Sequence, residues 1–112
     1  MSFYAKINTQ LSNKKYLLCA LDELERKGEI SNYQLIEKKD KIKIDRDGDI
    51  LNIIKDKTGN FQVTGDVRIG RIFADRLKQI YAYESIKDNL PLDFEIAKEV
   101  EENGEISILL KG

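Results

Sequence analysis

The sequence predicts an α+β domain, with a mainly antiparallel sheet of five to six strands and two helices on one of its faces, in the order β-α-β-β-β-α-β-β. Two observations carry this. The spacing of apolar residues switches from helical to alternating and back along the chain. Turn chemistry then falls between the alternating stretches: Asp47-Gly48, Thr58-Gly59-Asn60 and Asn103-Gly104.

Phe3 to Gln10 alternates loosely, with Phe3, Ala5 and Ile7 on one side, as a half-buried first strand does. Ser12 or Asn13 offers an N-cap, Leu17, Ala20, Leu21 and Leu24 follow at helical spacing, and Gly28 can end the helix. The first helix is therefore expected over Asn13–Lys27, with Cys19 opposite its apolar stripe as an exposed thiol. Tyr33–Glu37 reads as a short strand and Lys41–Ile44 as a second. Ile50–Ile54 is apolar at both parities, which predicts a central strand covered on both faces. Phe61, Val63 and Val67 continue on one face of a further strand.

The strongest helical pattern is VRIGRIFADRLKQIYAYESI, residues 67–86, from which a helix over Ile69–Tyr83 is expected. Ile69, Ile72, Phe73, Leu77, Ile80 and Tyr83 fall on one broad arc, and Asp66 is placed to cap it. After Leu90-Pro91, Phe94, Ile96 and Val100 alternate with polar residues. Asn103-Gly104 then turns the chain into Ile106, Ile108 and Leu110.

Composition bounds the function more than it names it. A length of 112 residues fits one domain, and 41% hydrophobic residues fill a core. With 19 basic and 20 acidic residues, the net charge of −1 argues against a polybasic nucleic-acid or membrane binder. A single cysteine forms no internal disulfide. No run reaches membrane-span length, and the opening MSFYAKINTQ has no signal-like apolar core. A soluble, cytoplasmic protein is the expectation.

The sequence also disfavours most site chemistry. With no histidine and one cysteine, a zinc site and a Ser-His or Cys-His nucleophile pair are both excluded. Asp45–Asp49 has calcium-loop residues, but aligning Gly48 puts Lys43 at the first ligand position, so it reads as a hairpin turn. Glu99 and Glu101 sit at the spacing of a solvated strand face. Gly65 and Gly70 precede and open a helix without a phosphate-loop pattern. No enzyme, metal or cofactor is expected.

Three features remain as binding candidates. Arg76 falls in the middle of the apolar arc, where it can snorkel, pair with a carboxylate such as Glu95 or Glu99, or meet a partner; snorkelling is the expected state. Tyr81 flanks the same arc and is placed for a contact surface. Lys38, Lys39, Lys41 and Lys43 form a basic run for the alternative of nucleic-acid binding along a Lys38–Lys43 strand. A small-molecule site between sheet and second helix is a third reading.

Both ends of the chain carry a resemblance. MSFYAKINTQ with LLCALDELERKG, then Phe73-Ala74-Asp75-Arg76-Leu77, Tyr81-Ala82-Tyr83 and Glu102-Asn103-Gly104-Glu105-Ile106, resemble the ycf-thirty-five-like proteins. This is a family of small plastid, cyanobacterial and bacterial proteins catalogued as a domain of unknown function. The resemblance covers half to two-thirds of the chain. Family members tend to carry a histidine near the start and tryptophans in the middle, and this chain has neither. Relatives in that family are often encoded near an AAA-type ATPase, so the resemblance implies an accessory role. The function expected is a non-enzymatic adaptor or protein-interaction domain, with self-association among its modes and Arg76 and Tyr81 as partner-binding residues.

Overall fold

A computed structural model describes residues 4–89 together with the strands 95–102 and 105–111, the latter two by their backbone. The elements run β1 (Tyr4–Asn8), α1 (Lys14–Arg26), β2 (Asn32–Ile36), β3 (Lys41–Arg46), β4 (Asp49–Lys55), β5 (Phe61–Asp66), α2 (Val67–Asp88), β6 (Glu95–Glu102) and β7 (Glu105–Lys111), with a 3₁₀ turn at Glu37–Lys39. The α+β class is the one the sequence predicts and the strand-helix order is consistent with it, with four strands rather than three between the two helices.

Five strands form one antiparallel sheet in the order β1-β5-β4-β3-β2. Short hairpins join β2 through β5 in sequence, and β1 closes the far side against β5 with Ile7 opposite Val63. Among the described residues the β6–β7 hairpin forms a separate two-stranded sheet. Phe94 and the Asn103-Gly104 turn lie outside the described residues.

Both helices pack on one face. Leu17, Leu21 and Leu24 of α1 and Phe73, Leu77 and Ile80 of α2 join the inward residues of the sheet, Ile42, Ile44, Leu51, Ile53, Phe61 and Val63, in one buried cluster. Glycine makes the closest approaches possible. A Cβ at Gly70 would lie 2.8 Å from Ile7 Cδ1, and one at Gly65 would lie 2.6 Å from Leu51 Cδ2. These two glycines serve helix–sheet and strand packing.

The helix ends follow from local chemistry. Asn13 caps α1 by accepting from Lys15 N at 2.9 Å. At the other end Gly28 takes φ +77°, Glu29 N donates to Leu24 O at 2.9 Å and Gly28 N donates to Glu25 O at 3.0 Å. That paired closure satisfies the last carbonyls of the helix. Asp66 caps α2, accepting from Arg68 N and Ile69 N at 3.0 and 3.3 Å.

Three expectations need correction. Val67 is the first residue of α2 rather than the last of a strand, because the Asp66 cap starts the helix there. The helix also runs on to Asp88, past Tyr83; Ile86 is exposed, so the arc stops marking a helix that continues. β4 is central, but among the described residues the helices cover one face only: Leu51 and Ile53 are buried, while Ile50 on the opposite face is 46% exposed.

Candidate functional site

Arg76 is held by a carboxylate. Its Nε donates to Glu29 Oε1 at 2.8 Å, Nη2 donates to Glu29 Oε2 at 2.7 Å, and Nη1 donates to Gln79 Oε1 at 3.2 Å. The forked, two-bond geometry is the strong form of this pair. Snorkelling is therefore not what the side chain does. Glu29 is a carboxylate the sequence reading did not name, while the side chains of Glu95 and Glu99 lie outside the described residues. The glycine closure of α1 fixes the Glu29 backbone against Leu24, which aims the carboxylate across to α2.

Around this pair lies a cleft of about 210 Å³ between the end of α1, the β3–β4 hairpin and α2. Leu24, Ile30, Ile72 and Phe73 form its apolar wall, and Glu29, Arg46 and Arg76 its polar one. This is the small-molecule position between sheet and second helix. Its volume falls below the range of about 300–1,000 Å³ common for ligand pockets. Glu25, Glu29, Asp47 and Asp49 also crowd Arg46 from the adjoining groove, which opposes an anion there.

Tyr81 is engaged within the chain. Its hydroxyl accepts from Asn13 N at 3.0 Å, and its ring meets Tyr16 edge-on at 5.8 Å. Nearby, Asp88 Oδ2 accepts from Tyr16 Oη at 2.7 Å and from Lys15 Nζ at 3.1 Å. Those two bonds, Tyr16 first, hold the Asp88 carboxyl below its usual range. Together they clasp the start of α1 to the end of α2. Cys19 lines the groove beside this clasp and is half-buried rather than fully exposed.

The four lysines do not share one strand. Lys38 and Lys39 lie in the 3₁₀ turn, which Asp40 ends at φ +47°, and only Lys41 and Lys43 belong to β3. On β3 they alternate with buried Ile42 and Ile44, so they point to the face without helices. Lys6 of β1 reaches the same face by the same alternation, and Tyr4, Asn52, Gln62 and Ile50 share it. Tyr4 is 71% exposed. Asp45 and Asp66 interrupt the positive charge.

Among the described residues, no group of three or more acidic or Cys side chains is placed to hold a metal. No described helix is long and apolar enough to cross a membrane.

No family model, no curated protein and no solved structure matches this chain.

The sequence left two participants unmarked. Glu29 stands 47 positions from Arg76, beyond any periodicity. Its only local signal is an acidic residue directly after a helix-ending glycine. The helix-free face appears only when the strand order is known, because alternation does not say which of two faces stays open.

Proposed function

We propose that this chain is a non-enzymatic adaptor or protein-interaction domain whose helix-free sheet face receives the partner. The observation behind this is the outward pair Tyr4 and Ile50, 71% and 46% exposed, on the helix-free face of the five-stranded sheet. Half-buried Ile36 and Ile54 share that face, with Lys41, Asn52, Asp45 and Asp66 among the apolar side chains. Exposed apolar side chains set among polar ones suit a protein interface. Arg76 and Tyr81 then act indirectly, by fixing α2 to α1 beneath the sheet. The ycf-thirty-five-like resemblance makes an AAA-type ATPase the first partner class to look for.

Tyr4→Glu and Ile50→Glu test this in affinity capture from the native host after nuclease treatment, with thermal melting as the folding control. Both variants are expected to fold and to lose a protein that the wild type retains. Retention of the same proteins by both would remove the face from the proposal.

Nucleic-acid binding is the second reading, favoured by the placement of Lys6, Lys41 and Lys43 on that same face with Lys38 and Lys39 at its margin. Phosphate contacts make such binding fall steeply with salt. The interposed Asp45 and Asp66 rank it below the first.

A further inference from the structure

We infer that β2 is a self-association edge, through which two copies pair antiparallel to continue the sheet from one protomer into the next. β2 ends the sheet order, so one side of its backbone has no strand beside it among the described residues. Edge strands are commonly protected by lysine, proline or a bulge. β2 reads Asn-Tyr-Gln-Leu-Ile, with no charge and no proline, and it pairs with β3 in unbroken register. Leu35 is on the helix side of the sheet yet 43% exposed, so α1 leaves it uncovered, while Tyr33 beside it bonds to Asp22 of α1. The opposite edge, β1, carries Lys6 at its centre.

Charge identifies the occupant as a second copy. At the end of the sheet where β2 begins lie Glu25, Asp45, Asp47 and Asp49, with Arg46 and Lys27 as the cations; the charges of Glu29 and Glu23 there are matched by Arg76 and Arg26. Where β2 finishes lie Lys14, Lys38, Lys39, Lys41 and Lys55, with Glu37 and Asp40 as the anions. The molecule is thus acidic at one end of this edge and basic at the other. Antiparallel pairing about a two-fold axis sets each acidic end against the other copy's basic end, twice. With Gln34 on the axis, Tyr33 faces the partner's Leu35 and covers its exposed side chain. A five-residue strand buries less than the standard interface, so the dimer is weak and screened by salt. This inference stands apart from the sheet-face proposal, since the face receives a partner whether or not the edge pairs.

Sedimentation of the full chain across about 1–500 μM in low salt should show concentration-dependent dimers, with affinity falling at least about tenfold in high salt. In a Cys19→Ser background, Gln34→Cys should join to itself with a short bismaleimide, whereas Lys6→Cys on the other edge should not. Leu35→Lys should abolish the dimer while leaving the melting temperature of the monomer unchanged. A monomer throughout the range overturns the inference. So does a dimer that survives Leu35→Lys, or one that cross-links at Lys6→Cys as readily as at Gln34→Cys. Partner capture through Tyr4 and Ile50 is read separately, so failure of one proposal is distinct from failure of the other.

Discussion

Replacing Arg76 by methionine keeps the length of the stem and deletes the fork that grips Glu29. Hydrogen bonds to charged groups contribute about 1.5–3 kcal/mol. The two partners are unequally buried, with 15% of the Arg76 side chain exposed against 36% for Glu29. Freed of Arg76, the Glu29 carboxylate turns to water, so Arg76→Met should cost only the lower part of that range, roughly 1.5–2 kcal/mol. Glu29→Met removes the same fork from the more enclosed partner, while Gln79 still accepts from Nη1 at 3.2 Å. It should cost the upper part of that range, roughly 2–3 kcal/mol. For a domain of this size each kcal/mol moves the melting temperature by about 4 °C. Calorimetry or urea denaturation of both single variants and the double variant reads the losses and their coupling. A melting temperature for Arg76→Met within about 2 °C of wild type would refute the reasoning, since it would mean that the pair adds nothing beyond the stem. Equal losses in the two single variants would refute the asymmetry.

Burial and a hydrogen bond to Asp22 push the Tyr33 hydroxyl up to about 12. A raised value stabilises the fold below the ordinary value of 10.0, and this stability is lost as pH rises through about 12. Wild type should lose stability over that window relative to Tyr33→Phe, as denaturation at stepped pH will show. Gly65→Ala places a Cβ against Leu51 at φ +146°; a loss of roughly 2–3 kcal/mol in chemical denaturation is expected. Asp88, held low by Tyr16 and Lys15, stabilises above its ordinary value of 3.8 and ceases to as pH falls through its lowered one. Asp88→Asn should therefore flatten the acid limb of the stability curve. Lys41→Glu and Lys43→Glu test the second functional reading: little nucleic acid should be retained by the wild type at about 150 mM salt. Submicromolar, salt-sensitive binding that both changes abolish would reverse the order of the two readings.

Local pattern alone marked both helices, the Asn13, Asp66 and Gly28 boundaries and the strands of the meander, because caps, turns and periodicity act within a few residues. The Asp47-Gly48 turn is an instance: φ is +52° and +95° there, and Asp45 accepts from Gly48 N at 2.9 Å. Alternation placed Ile50 and Ile54 on one side of β4, yet it said nothing of whether a layer lies against them. That depends on both helices choosing the other face. The same holds for Arg76: its place on the apolar arc was visible, and its partner was not, because Glu29 comes close only when α1 and α2 lie side by side. Lys38 and Lys39 look like strand in the sequence, but Asp40 in the left-handed region breaks the run before β3 begins. The sequence by itself determined which segments are helix and strand, the Lys38–Lys39 turn and the ends of α2 apart, and most of the side chains they bury, though Ile72 on the apolar arc is exposed. Only the tertiary structure decided which face and which edge of the sheet stay open, since both follow from contacts between residues far apart in the chain.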